Sequence, residues 1–148
     1  MKPIRVLFVC VQNSARSQMS EAYLNHFGEG RFEAESAGLE PGILNPRVVQ
    51  VMKEDGIDIA GNETKSVFDM FKRGALYSFV VTVCDETSAE KCPIFPGAAK
   101  RLHWSFADPS SLTGTENEKL ERTREIRDEI KLKVKSWIDG RASELLRS

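Results

Sequence analysis

Hydrophobic and polar positions along the chain switch between two periods, and the switching itself outlines a fold. Ile4-Arg5-Val6-Leu7-Phe8-Val9 is an almost unbroken apolar run followed at once by polar residues, the pattern of a strand buried on both faces. From Ser17 the period changes: Met19, Ala22, Tyr23 and Phe27 fall at helical spacing, and Gly28 with Gly30 marks a capped helix end. Phe32 to Ser36 predicts a second short strand. Asn45-Pro46 opens a helix whose apolar positions Val48, Val49, Val51 and Met52 lead to Gly56. Val67, Phe68, Met70 and Phe71 predict a further helical piece, Leu76 to Val83 the most apolar strand, and Arg101 to Trp104 a short last one. A charged helix from about Glu116 to Asp139 turns Leu120, Ile126, Ile130, Val134, Trp137 and Ile138 inward.

Strands alternating with helices in this way argue for an α/β fold, an open parallel four-stranded sheet with helices on both faces. No internal repeat, low-complexity tract or linker interrupts the pattern, so residues 1–148 are expected to form a single domain. In such sheets ligands bind beyond the carboxyl ends of the strands. Cys10 and Cys84 both stand at such ends, so distant parts of the sequence are expected to meet at one crevice.

Composition narrows the class. Charged residues make up 29% of the chain, hydrophobic ones 41%, and the formal net charge is -1, which argues against disorder and against a basic nucleic-acid binder. The first apolar run is too short to span a membrane and lacks the shape of a cleavable signal, so a cytoplasmic location without membrane attachment is expected. In a reducing compartment three cysteines are not expected to form a structural disulfide. That leaves them as nucleophiles, redox thiols, metal ligands or small buried hydrophobes. No metal is expected, because there is no CxxC pair, His26 belongs to a helix and His103 to a strand edge.

One segment carries specific chemistry. Cys10-Val11-Gln12-Asn13-Ser14-Ala15-Arg16-Ser17 sets a cysteine directly after a strand and an arginine six positions later, where a helix starts. Backbone N–H groups of a loop curled onto a helix N-terminus form an anion nest that the helix dipole reinforces. Val11, Gln12, Asn13, Ser14 and Ala15 are expected to supply these amides, Arg16 a planar fork for two oxygens of a tetrahedral oxyanion, and Ser17 a further hydrogen bond. The same dipoles favour the thiolate of Cys10, placing it for in-line attack on a bound oxyanion. The cysteine-to-arginine spacing alone arises by chance roughly one time in sixteen. The strand before it and the helix after it give it its weight.

This loop resembles that of the low-molecular-weight protein tyrosine phosphatases and of the arsenate reductases that share their fold. The resemblance runs along nearly the whole chain: Arg16-Ser17-Gln18-Met19 with Glu21-Ala22, then Ser36-Ala37-Gly38, Asn45-Pro46, Met52-Lys53-Glu54, Gly56-Ile57-Asp58-Ile59, Val80-Val81-Thr82, Cys92-Pro93, His103-Trp104 and Asp108-Pro109 resemble, in order, the landmarks of the thioredoxin-coupled reductase branch. Two loop positions depart from it. Gln12 stands where glycine is frequent and Ala15 where a second cysteine often sits.

The resemblance implies reduction of arsenate to arsenite, with Cys10 as nucleophile, Arg16 as oxyanion binder and Asp108 as general acid. Read without it, Asp108-Pro109 is an ordinary turn. The resemblance further implies a relay in which Cys84 attacks Cys10, Cys92 attacks Cys84, and thioredoxin reduces the resulting Cys84–Cys92 disulfide. The intervening Asp85-Glu86-Thr87-Ser88-Ala89-Glu90-Lys91 reads as a polar, helix-like segment able to loosen, one residue longer than in the best-known members, and it puts Cys92 in a polar neighbourhood. A phosphatase acting through a Cys10 thiophosphate is the alternative, but the tyrosines that related phosphatases carry beside the acid are Ser110 and Ser111 in this chain. Some relatives bind potassium through residues matching Asn13, Glu21 and Ser36; Lys65 and Ser66 replace the usual carboxylate, so no potassium site is claimed. No tightly bound cofactor is expected, and a monomer is.

Overall fold

The computed structural model describes residues 2–84, 90–95, 97 and 99–147, with side chains through Arg141. Its strands β1 (Ile4–Cys10), β2 (Phe32–Gly38), β3 (Phe79–Thr82) and β4 (Lys100–His103) form one parallel sheet in the order β2-β1-β3-β4. Helices α1 (Arg16–Phe27), α2 (Pro46–Glu54), α3 (Val67–Lys72) and α4 (Glu116–Arg147) accompany it, with a 3-10 turn at Pro109–Ser111. The expected class, a four-stranded parallel sheet with helices, is the one observed.

β1 lies inside the sheet, and its burial explains its unbroken apolar run. Val6, Phe8 and Cys10 face one core cluster, which Met19, Tyr23 and Leu24 of α1, Val48 and Met52 of α2, and Ile126, Ile130 and Val134 of α4 complete. Leu7 and Val9 face the other, with Val67 and Met70 of α3, Tyr77, Val80, Cys92 and Phe95. Alternate residues of a strand point to opposite faces, so the two clusters lie on the two sides of the sheet.

Sequence boundaries move for identifiable reasons. β3 is shorter than the apolar run that predicts it: the Arg5 guanidinium holds the Leu76 carbonyl at 2.8 Å, Leu76 is exposed, and laddering begins only at Phe79. β2 runs on to Gly38, paired with β1 as far as Cys10. The last helix continues through Gly140 to Arg147, a glycine inside a helix costing only about 1 kcal/mol. At the end of α1 the left-handed residues are Glu29 and Gly30. Gly28 stays right-handed at φ -72, and is small because a Cβ there would lie 2.5 Å from the Leu24 carbonyl.

Caps fix the remaining starts. Asn45 caps α2 through its side chain, with Pro46 at the first helical position. Thr115 and Glu118 exchange side-chain-to-backbone bonds of 3.1 and 3.3 Å, a capping box that starts α4. α4 is tied to the rest by Trp137, packed on Phe32, Phe79 and Trp104, and by a charged seam in which Arg127 and Arg124 hold Glu54 while Lys131 and the buried Tyr23 hydroxyl hold Asp55.

Candidate active site

The loop between β1 and α1 is shaped from outside. Carbonyls of Cys10, Val11, Gln12 and Ser14 accept hydrogen bonds of 2.8 to 3.1 Å from the amides of Leu39, Glu40, Gly42 and Asn45. With its carbonyls turned outward onto that segment, the loop can turn amides inward, and the Asn13 N–H donates to Cys10 Sγ at 3.2 Å. Gly38 makes the arrangement sterically allowed: a Cβ there would lie 2.8 Å from Asn13 N, Gln12 C and Val11 O.

Asn13 takes the left-handed conformation, φ 56, that asparagine tolerates better than most residues. Its side chain is oriented unambiguously, because the Lys65 N–H donates to Oδ1 at 2.9 Å and Nδ2 donates to Ser17 Oγ at 2.8 Å. Ser17 Oγ lies 2.8 Å from Cys10 Sγ, within reach to donate to it once the thiol is ionised. A chain of hydrogen bonds thus runs from Lys65 N–H through Asn13 and Ser17 to the Cys10 sulfur. Gln18, fully buried, locks the chain by donating to the Asn13 carbonyl and to Glu63 O at 3.1 Å, while Asn62 donates to Gln18 Oε1. In the sequence Gln18 stands only as part of a motif; the signal for its role is a polar residue on a helix face otherwise given to the core.

Arg16 is buried at 7% exposure, its guanidinium over the cup. Nη1 donates to the Phe106 carbonyl at 3.3 Å and Nη2 lies 3.6 Å from Asp108 Oδ2. Its Nε–H is buried without a partner among the described residues. Asp108 accepts from the Ser110 N–H at 2.9 Å and the Ser111 hydroxyl at 3.2 Å, which places its carboxylate at the cup's rim. Cys10, Val11, Gln12, Ser14, Ala15, Arg16, Asp108, Ser110 and Ser111 enclose about 340 Å³. The loop and Asp108, far apart in sequence, therefore face one cavity, and among the described residues no aromatic side chain lines it.

The other cysteines are placed differently from each other. Cys84 shares the core cluster of Cys10. Cys92, expected in polar surroundings, is instead buried at 4% exposure among Leu7, Val9, Tyr77 and Phe95 on the opposite side of the sheet. The polar stretch before it gives no sign of this, because Phe95, just beyond, is what anchors the chain back in the core. Burial pushes the Cys92 thiol up, with Arg101 pulling partly back. No disulfide joins the three, and the predicted helix-like segment lies outside the described residues from 85 to 89.

Beside the loop, Ser36 donates to Glu21 at 3.0 Å and Lys65 Nζ stands 4.0 Å from the same carboxylate. Burial pushes Glu21 up, while the Lys65 charge and the Ser36 bond pull it down. With an ammonium opposite Glu21 and Asn13 Oδ1 already taken by Lys65 N, these residues do not fit an additional potassium ion. Among the described residues no other His, Cys, Asp and Glu grouping is suited to a metal, and no helix is long and apolar enough to cross a membrane.

Known proteins similar to this chain share its fold. An arsenate reductase of Bacillus subtilis (strain 168) is 40% identical over 136 residues, 90% of this chain and 94% of its own length. The crystal structure of an arsenate reductase from Archaeoglobus fulgidus superposes with a TM-score of 0.70 at 29% identity, covering 90% of this chain and 98% of that one. A thioredoxin-dependent arsenate reductase of Corynebacterium glutamicum gives 0.61 at 26% identity, covering 91% of this chain and 63% of that one. The profile of the family described as low molecular weight phosphotyrosine protein phosphatase matches residues 5–147, which take in the sheet, the loop and the Asp108 turn described above, and the chain belongs to that family.

Proposed function

We propose that this protein reduces arsenate to arsenite, with a thiol relay that thioredoxin regenerates. The observation that carries the reading is the buried Arg16 with an unpartnered Nε–H above a cysteine whose sulfur already accepts from Asn13 N–H and lies within hydrogen-bond distance of Ser17. A buried donor left unpaired costs roughly 1–3 kcal/mol or more, and a tetrahedral oxyanion in the cup supplies the missing acceptor.

In the first step Cys10 attacks arsenic, the S–As bond forms, and the expelled oxygen leaves as water after protonation by Asp108. Cys84 then attacks the Cys10 sulfur. The S–As bond breaks with its electron pair going to arsenic, arsenite departs, and Cys10 and Cys84 are left as a disulfide. Cys92 attacks Cys84, freeing Cys10, and a dithiol protein returns the Cys84–Cys92 disulfide to thiols. Placing Cys92 across the sheet from Cys84 makes the third step a conformational one, in which the chain around Cys92 leaves its apolar bed. The relatives named as arsenate reductases support the reaction, and the thioredoxin-dependent one supports the donor. The polar rim of Ser110 and Ser111 disfavours a phenyl phosphate as the main substrate.

One arsenate turnover without reductant, followed by peptide mapping, tests this. The expected product is a Cys84–Cys92 disulfide with Cys10 alkylatable, and Cys92→Ser should trap Cys10–Cys84 after a single turnover. Continued arsenate reduction through many cycles by both Cys84→Ser and Cys92→Ser with thioredoxin would remove the relay.

A further inference from the structure

The oxyanion loop, the start of α2 and the acid turn meet in one residue, Asn45, which the chemistry above does not use. It is buried at 7% exposure, and its polar groups go to three different places. The backbone N–H donates to the Ser14 carbonyl at 2.9 Å, Oδ1 accepts from the Arg47 N–H at 2.9 Å, and Nδ2 donates to Ser110 Oγ at 3.0 Å. Ser110 passes the connection on, its N–H donating to Asp108 Oδ1 at 2.9 Å.

A helix cap needs only an oxygen, which serine or aspartate supplies as well. Asparagine adds a donor whose direction is set by the cap: with Oδ1 held by Arg47, the planar amide can aim Nδ2 only one way, and Ser110 is there. Among the described residues two side-chain links join the Asp108 turn to the loop side of the cavity. One is Arg16, through the Phe106 carbonyl and Asp108. An oxyanion forked by Nε and Nη2 competes with Asp108 for this link. The Asn45–Ser110 bond has no such competitor, so it can persist while the reaction proceeds. Asp108's bonds to Ser110 and Ser111 are internal to the turn and cannot fix where the turn as a whole stands.

We propose that Asn45 is a positioning residue for the acid, a clasp that sets the Pro109–Ser111 turn, and with it the Asp108 carboxyl, against the loop carrying Cys10. This rests on Asp108 being the acid. An acid displaced by a fraction of an ångström loses much of its effect on the leaving oxygen, whereas oxyanion binding by the loop amides and Arg16 is untouched.

The test is single-turnover arsenate reduction at saturating arsenate by the full chain, beside protection of Cys10 from iodoacetamide by inorganic phosphate. Asn45→Ser keeps the cap oxygen and loses the amide donor; Ser110→Ala breaks the clasp from the other end and leaves the α2 cap and the Ser14 bond in place. Each should slow the turnover about three- to tenfold with phosphate protection changed less than about twofold, and the double variant should be no slower than the slower single one. In an Asp108→Asn background neither should have any further effect, since there is no acid left to position. A further loss of the same size in that background, a parallel loss of phosphate protection, or no slowing in wild type would each reduce Asn45 to a helix cap and overturn the clasp alone. Asp108→Asn turning over as fast as wild type would remove the acid itself, and the clasp with it. If Asn45→Ser does not fold, Ser110→Ala carries the same comparison.

Discussion

Replacing Gly38 by alanine perturbs the oxyanion cup without touching any residue that reacts. The added Cβ would stand 2.8 Å from three backbone atoms, Asn13 N, Gln12 C and Val11 O, about 0.6 Å inside the 3.4 Å of ordinary contact. None of the three can rotate away as a side-chain tip would. The loop or the end of β2 must move, and Gly38 is tied on its other side by its N–H bond to the Lys65 carbonyl at 2.8 Å. Overpacking of this kind costs about 1–3 kcal/mol. A loop displaced by half an ångström also loses the alignment of amides and thiolate, for which a tenfold to hundredfold loss of turnover is the expected order. Urea denaturation gives the first quantity, and single-turnover arsenate reduction with phosphate protection of Cys10 the second. Gly140→Ala is the control: it lies within α4 with nothing within 4 Å of the new carbon, and should be neutral or stabilising by up to about 1 kcal/mol. An unchanged denaturation midpoint and unchanged protection in Gly38→Ala would refute the reasoning that steric closeness at β2 shapes the loop.

Arg16→Lys retains the charge but not the fork or the Nε–H, so phosphate protection of Cys10 should weaken at least about tenfold while stability changes little; equal protection would mean that charge alone holds the anion. The seam at Asp55 gives a pH dependence: burial raises its carboxyl, but the bonds from Tyr23 and Lys131 and the nearby positive charges outweigh this and hold it below its ordinary value. A depressed folded-state value means stability present above the unfolded carboxylate range and lost as pH falls through the folded one, so denaturation followed from pH 7 to 3 should show a loss below about pH 4. Tyr23→Phe combined with Lys131→Met should lose about 1 kcal/mol at pH 7 and flatten that acid limb; an unaltered acid limb would assign the slope to other carboxylates. Exchanging potassium for sodium chloride should leave phosphate protection of Cys10 unchanged, and a potassium-specific gain would show that the Lys65 ammonium does not fill the place beside Glu21.

Much of this protein is written locally. A strand buried on both faces needs a continuous apolar run, so β1 is legible from Val6 to Val9 without any partner, and Asn45-Pro46 announces α2 because cap and fixed φ act within one turn. Cys10 through Ser17 is legible for the same reason: nest, dipole and guanidinium come from consecutive residues. Asp108 is singled out only by likeness of motif, its Asp-Pro context being no different from that of a common turn. What depends on neighbours distant in sequence could be decided only by the fold. The outward pull of residues 39–45 on the loop carbonyls, the close approach at Gly38, the Lys65-to-Asn13-to-Ser17 chain and the burial of Gln18 all join segments that no periodicity connects. Cys92 shows the limit most sharply, since a cysteine after a polar stretch reads as lying in polar surroundings, and only packing in the cluster of Leu7 and Val9 puts it in the core on the far side of the sheet from Cys84. Hydrophobic pattern reports how much surface a segment must hide; which surface hides it is set by the three-dimensional path of the rest of the chain.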